Sequence, residues 1–116
     1  MTSPYTLTKT AMNTLTGIPY AASSERASLA DPLPATYIVG SLVSDVPDQH
    51  ADNGETEQFI RMQLSIYSTG GLLSLPDTDT AMKAAGFKRG PARELPYDQE
   101  TGHYGMAREY TILFNL

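Results

Sequence analysis

Two histidines and the carboxylates around them are the residues best suited to chemistry in this sequence. Asp48, His50 and Asp52 alternate along one polar stretch and offer the oxygen and nitrogen ligands that metal ions use. A calcium loop is excluded, because Asn53 stands where the sharp turn needs glycine and Phe59 stands where the closing glutamate belongs. We therefore expect the three polar residues to belong to a solvated acidic loop.

The second histidine, His103, lies beside a hairpin turn that also carries Asp98 and Glu100. An imidazole and a pair of carboxylates can serve as general acids and bases. Acidic residues are also frequent in turns, because their side chains hydrogen-bond to the nearby backbone. We expect a surface histidine and turn-forming carboxylates here. A small enzyme that uses His50 or His103 is the third of three functional hypotheses.

Other short motifs are incomplete. Ser41 follows a glycine but lacks the second glycine of a nucleophile elbow. The pair Gly70-Gly71 is not followed by Lys-Ser or Lys-Thr, so it is not a phosphate-binding loop. The absence of cysteine excludes disulfides and thiolate metal sites. The sequence therefore predicts a protein that is not an enzyme and that needs no cofactor or metal ion.

Length and composition indicate one domain, spanning residues 1–116. A hydrophobic content of 41% argues against wholesale disorder. The net charge of -5 disfavours binding to nucleic acid, because phosphates would be repelled. No apolar run approaches the ~20 residues that a membrane span needs. The N-terminus lacks a basic segment followed by an apolar one, so we expect a cytoplasmic location.

The first half of the chain predicts one helix and two strands. A serine cap, a proline and apolar residues at spacing four predict helix 1 over Pro4–Thr16. Three prolines make Ile18–Ala35 an irregular arm. Tyr37–Val43 is typical of a buried strand, and Ser44–Glu57 reads as a wholly acidic loop. Phe59–Tyr67 alternates between apolar and polar residues, which indicates a strand with one wet face.

The second half predicts a short helix and a β-hairpin. Ser74 begins a capping-box pattern ahead of helix 2, Leu75–Ala85. Phe87–Leu95 is predicted as a strand distorted at Gly90-Pro91, and Glu94–Leu116 as the closing hairpin. The expected fold is α+β: a mainly antiparallel four-stranded sheet with two helices on one face, in the order α-β-β-α-β-β. The last strand is either internal or a free edge that another chain can join.

Charge is segregated along the chain. The loop after the first strand is acidic, and most basic residues follow residue 82. Complementary patches on one molecule can meet head-to-tail between copies and close into rings. A solvated strand face and a phosphate site are the alternatives for the basic cluster. The predicted subunit contacts join two groups of residues: Asp45, Asp48, Asp52 and Glu55 on one side, and Lys88, Arg89 and Arg93 on the other.

Several stretches together resemble the small tail-completion (tail terminator, or minor tail) proteins of long-tailed bacteriophages and prophages. The resembling stretches are Tyr37–Val43, the acidic loop, Arg61–Ser68, the short helix through Met82, the Tyr97-Asp98-x-Glu100-Thr101-Gly102-x-Tyr104 turn, and Arg108–Ile112. The resemblance covers about Tyr37 to Phe114. The chain departs from the family pattern in its long, proline-rich arm and in the Gly70-Gly71 break before helix 2.

The resemblance implies a structural virion protein without catalytic residues. Such proteins form a ring, usually hexameric, that caps the tail tube, stops its growth and presents a surface to head-completion proteins. They assemble in the host cytoplasm and reside at the head–tail junction of the virion. The competing hypothesis is a monomeric α+β module that binds a protein or peptide through its sheet edge.

Overall fold

Five strands form one mixed sheet with two helices in the computed structural model, which describes residues 3–29, 32–47 and 57–115. The α+β class is confirmed, but the sheet has five strands in place of the predicted four. The elements are α1 (Pro4–Met12), β1 (Tyr20–Ala22), a 3₁₀ turn (Ser23–Ser28), β2 (Thr36–Pro47), β3 (Glu57–Ser68), α2 (Thr78–Ala84), β4 (Lys88–Asp98) and β5 (His103–Asn115). The strand order is β1-β2-β3-β5-β4.

The additional strand, β1, lies in the segment that the prolines led us to predict as irregular. It pairs with β2 in parallel, whereas the other neighbours are antiparallel. Pro19 immediately precedes it, and its carbonyl accepts a hydrogen bond of 3.0 Å from the Ile38 backbone N–H. Proline is tolerated there because β1 is an edge strand. The Tyr20 hydroxyl lies over Gly40, in the place that a Cβ would occupy.

Helix α1 begins as predicted but ends four residues early. The Ser3 hydroxyl caps it by accepting a hydrogen bond from the Thr6 N–H. At the other end, the Thr14 hydroxyl donates to the carbonyl of Ala11 at 2.7 Å. A threonine that bonds to the backbone in this way competes with helix propagation, which accounts for the earlier end.

Helix α2 is also shorter than predicted, and its cap is a different residue. Asp77 is the N-cap: its carboxylate accepts from the Thr80 N–H at 3.2 Å and from the Thr80 hydroxyl at 2.7 Å. The prediction of Ser74 as the first capping residue was wrong. A carboxylate at this position also suits the positive end of the helix dipole, which a serine hydroxyl does not match.

Both long strands reach further than predicted into the supposed acidic loop. β2 continues to Pro47 and β3 begins at Glu57, so the connecting segment is residues 48–56, outside the described residues. Val43 is an extra residue in β2, because the pairing shifts by one between Leu42 and Ser44. This β-bulge and the acidic residues after it concealed the continuation of the strand.

One face of the sheet carries the core, and the alternation predicted for β3 is confirmed. Ile60, Met62, Leu64 and Ile66 are fully buried on the face that both helices cover. Each such side chain contributes about 1.5–3 kcal/mol through burial. The rest of the buried cluster comes from both helices, the flanking strands and the link between α2 and β4: Ala11, Met12, Ile38, Met82, Phe87 and Tyr110.

The closing hairpin is confirmed, with β5 as an internal strand between β3 and β4. The distortion predicted in β4 is a β-bulge in which Gly90 and Pro91 stand opposite Glu109. The turn that follows β4 ends at Gly102, whose φ of 75° is the left-handed conformation that glycine favours. No helix within the described ranges is long and apolar enough to cross a bilayer.

Candidate interaction surface

The basic residues predicted as subunit contacts all lie on β4, an edge strand, but they do not act as one cluster. Lys88 and Arg93 are exposed and stand opposite Thr111 and Ala107 of β5. Arg89 stands opposite Tyr110, a core residue, and its guanidinium is 3.5 Å from the Asp79 carboxylate of α2. Two of the three basic residues are therefore available to a partner, and the third is already paired.

Of the four acidic residues predicted as subunit contacts, Asp45 lies within the described residues, on the other side of the sheet. Asp45 lies in β2 opposite Ile60 of β3, and three strand spacings of ~4.8 Å, roughly 14 Å, separate β2 from β4. Asp48, Asp52 and Glu55 lie outside the described residues. Within one molecule Asp45 and the basic positions of β4 therefore do not meet. They occupy opposite sides of the sheet, which is the arrangement that a head-to-tail contact between copies requires.

The sheet narrows to three strands at one end, which we call the tip: residues 45–47 of β2, 57–60 of β3 and 112–115 of β5. Among the described residues, nothing pairs with β2 on its outer side beyond Gly40, and β4 accompanies β5 only up to Thr111. Side chains at and beside the tip are apolar and exposed: Val43 by 45%, Phe59 by 43% and Leu113 by 51%. Phe59 and Leu113 are direct neighbours across the β3–β5 pair.

The face opposite the helices, which we call the open face, is polar along its middle. Arg61 of β3 and Glu109 of β5 form an ion pair there. Next to it, the Gln63 amide donates to the Ser65 hydroxyl at 3.1 Å. A half-exposed ion pair of this kind contributes little stability, on the order of 1 kcal/mol or less. Its consequence is a polar stripe that separates the apolar tip from the rest of the open face.

His103 is buried at the other end of the open face, so the prediction of a surface histidine was wrong. It is 2% exposed, and its Nε2 donates a hydrogen bond of 2.7 Å to the Pro34 carbonyl. Its ring packs edge-on against the Tyr37 ring, with 5.1 Å between the ring centroids. Tyr37 in turn stacks on Tyr67, with 4.9 Å between their ring centroids. The burial depends on Pro34, a residue 69 positions away, which no local pattern around the histidine reveals.

Asp98 has the turn-forming role that we expected of the hairpin carboxylates, and Glu100 contributes its backbone N–H. The Asp98 carboxylate accepts hydrogen bonds from the backbone N–H groups of Glu100 at 2.9 Å and Thr101 at 3.4 Å. The bond from Glu100 is the largest cause of a lowered pKa for Asp98. His50 lies outside the described residues. Within the described ranges no three histidine or acidic side chains are grouped closely enough to hold a metal ion.

A polar network under α2 was missed by the sequence analysis. The Arg108 guanidinium donates to the Pro76 carbonyl and to the Thr78 hydroxyl, both at 2.9 Å. Tyr110 donates to the Asp79 carboxylate, so its contact of 2.7 Å with Thr78 must have the threonine as donor. The sequence feature that could have revealed this network is Arg108, the one charge in an apolar alternation. A charge on the core face of a strand needs polar partners.

Burial raises the pKa of Tyr110 to about 12, and the hydrogen bond to Asp79 adds to that shift. The phenol therefore stays neutral and keeps donating to Asp79 at physiological pH. Since the network joins β5 to the start of α2, its role is to position this helix on the sheet. It leaves no group directed at a ligand, so the tip and the strand edges are the better candidate surface.

Known protein-family models and curated protein sequences contain no match to this chain.

Proposed function

We propose that the chain is a structural subunit of a phage tail-completion ring, which caps the tail tube and joins it to the head. The resemblance of Tyr37–Phe114 to tail terminator proteins motivates the proposal. The observation that carries it is the position of opposite charges on opposite sides of one sheet, with Asp45 in β2 and Lys88 and Arg93 on β4. Such a molecule is complementary to a copy of itself, and heterologous contacts close into rings.

The expected assembly is the hexameric ring that is usual in the resembling family. Its partners would be the tail tube on one side and head-completion proteins on the other. Assembly would take place in the host cytoplasm, and the final location would be the head–tail junction of the virion. Genes for tube, tape-measure or portal proteins beside the gene for this chain are a further expectation of the proposal.

Reversing the exposed basic residues tests the charge contact. We expect Lys88→Glu combined with Arg93→Glu to weaken the oligomer at low salt, because attraction to the acidic side becomes repulsion. Arg89 is left intact, since its partner is Asp79 of the same molecule. The matched control is Lys9→Glu combined with Lys83→Glu, which reverses two exposed lysines on the helices. Sedimentation velocity at low and high salt measures both variants, and an oligomer unchanged by the first pair would contradict the contact.

The free strand edges also favour a second candidate function, a monomeric module that binds an extended protein segment by adding it to the sheet. The same backbone groups would serve either function. A protein that stays monomeric at high concentration, and that leaves tail tubes uncapped, would favour the module. A ring would favour the tail-completion protein.

A further inference from the structure

We propose that the ring contact is made by strand pairing: the outer edge of β2, residues 41–47 of one copy, joins the outer edge of β5, residues 112–115 of the next. This rests on the proposed function in taking a second copy of this chain as the partner. The two edges face in opposite directions across the sheet, because β3 lies between them. One molecule can therefore use both edges at once, each with a different neighbour.

The direction of the backbone groups in β2 follows from one hydrogen bond. The Ile38 N–H points outward, since it donates to Pro19 of β1. Neighbouring residues of a strand alternate in direction, so the Leu42 N–H also points outward. Val43 is the extra residue of the bulge, and after it the next outward N–H belongs to Asp45. With β1 ending at Ala22, opposite Gly40, these donors face no strand within the described residues.

The same alternation, carried across β3, settles the direction of the groups in β5. Ile60 stands opposite Ile112, and this pair exchanges hydrogen bonds between β3 and β5. Ile112 is therefore directed inward, and the N–H and carbonyl groups of Leu113 and Asn115 are directed outward. Pairing between β4 and β5 starts at Lys88 and Thr111, so these outward groups lie beyond the end of β4.

The surroundings of the two edges favour a second copy over an unrelated segment. A groove of about 330 Å³ lies along the β5 edge, and Lys88 lines it together with Phe59 and Leu113. Asp45 occupies a position in the β2 edge, so a joining copy would bring an acidic residue to the strand edge beside the lysine. It would also bring Val43 towards Leu113, and both are exposed apolar side chains. Charge and apolar surface therefore match in the same arrangement.

Cysteine cross-linking tests the pairing directly, because the chain contains no cysteine. Leu113→Cys is combined with Val43→Cys in one variant and with Ser44→Cys in another. Within one molecule the β2 and β5 positions are two strand spacings, roughly 10 Å, apart, beyond the ~7 Å limit for a disulfide. Oxidation should therefore give a ladder of covalent oligomers in at least one variant. The control, Ala92→Cys with Val43→Cys, places the second thiol on the β4 edge and should stay uncross-linked.

A proline substitution tests the backbone contribution by a second route. Leu113→Pro removes an outward N–H without touching the Ile112 and Phe114 groups that bind β3, so the fold should persist by circular dichroism. Self-association should weaken at least tenfold, and more than in Leu113→Ala, which keeps the N–H. Equal association of the two variants would contradict the pairing.

The outcomes separate this inference from the proposed function. Rings in electron micrographs without any cross-link in either cysteine variant would overturn the strand pairing and leave the tail-completion function standing. A covalent ladder from a protein that leaves tail tubes uncapped would support the pairing and contradict that function.

Discussion

The helix-covered body of the sheet and its three-stranded tip share the same strands, but apolar side chains are buried in the body and exposed at the tip. Along β3, Leu64 in the body is fully buried, whereas Phe59 at the tip is 43% exposed. The edges differ as well. β4 borders the body with two prolines and several charges, which discourage pairing, whereas residues 112–115 of β5 carry neither proline nor charge. The body buries its apolar side chains, whereas the tip exposes them, and an exposed apolar patch is typical of an interaction surface.

The same leucine substitution in the two regions should have the largest and clearest difference in effect. Leu64→Ala should lower the free energy of unfolding by about 2–5 kcal/mol, because it leaves a cavity in the core. Leu113→Ala should change it by no more than about 0.5 kcal/mol in the monomer. Urea denaturation of both variants measures the difference, and equal losses would show that the tip is part of the core.

The Tyr110 network should account for a smaller part of the body's stability. Tyr110→Phe should cost about 1–2 kcal/mol, because Thr78 and Asp79 lose a buried partner. The matched control is Tyr104→Phe, which removes the hydroxyl of an exposed tyrosine on the same strand and should cost less than 0.5 kcal/mol. Thermal unfolding followed by circular dichroism compares them. If both variants lose the same stability, the network does not fix α2.

Alkaline pH should lower the free energy of unfolding, because Tyr110 loses its proton less readily in the folded state than in the unfolded state. Its pKa in the folded protein is raised from 10.0 to about 12, so the folded state holds the proton more tightly than the unfolded state. The stability from this difference is present below pH 10 and is lost as pH rises towards 12. Tyr20, also raised to about 12 chiefly by burial, adds to the loss. Urea unfolding at pH 9 and pH 11.5 should show a shallower decline in Tyr110→Phe than in the natural sequence.

The smallest effect should come from the ion pair on the open face. Removing Arg61, Glu109 or both by alanine substitution forms a double-mutant cycle. The coupling energy should be below about 1 kcal/mol and should shrink in high salt, because both groups are partly exposed to water. A coupling of several kcal/mol that does not change with salt would mean that the ion pair is shielded from water, and would contradict the assignment of this face as open.

Local sequence patterns predicted the parts of the fold that depend on interactions between residues close together in the chain. The alternation from Ile60 to Ile66, the bulge at Gly90-Pro91 and the hairpin turn at Asp98 depend on neighbouring residues. β1 was missed because a strand of three residues has no alternation to detect. The burial of His103 depends on Pro34, and the partners of Arg108 are Pro76, before α2, and Thr78, the first residue of α2. These contacts exist only after the chain has folded.

The candidate surface also has features that the sequence shows and features that depend on how the elements pack. The segregation of charge was visible in the sequence; Lys88 and Arg93 are exposed, and their role as subunit contacts stays a prediction. The pairing of Arg89 with Asp79 was not visible, because it depends on how α2 packs beside β4. The sequence left open whether the last strand is internal or a free edge, and β5 is internal up to Thr111 and unpaired on that side beyond it among the described residues, because β4 begins at Lys88.

Electron microscopy of the concentrated protein, alone and mixed with tail tubes assembled from neighbouring tube genes, tests the central claim most directly. The account predicts closed rings of uniform size, seated on tube ends, that disappear in the Leu113→Pro variant. A protein that remains a single particle in both samples and leaves every tube end bare would contradict it.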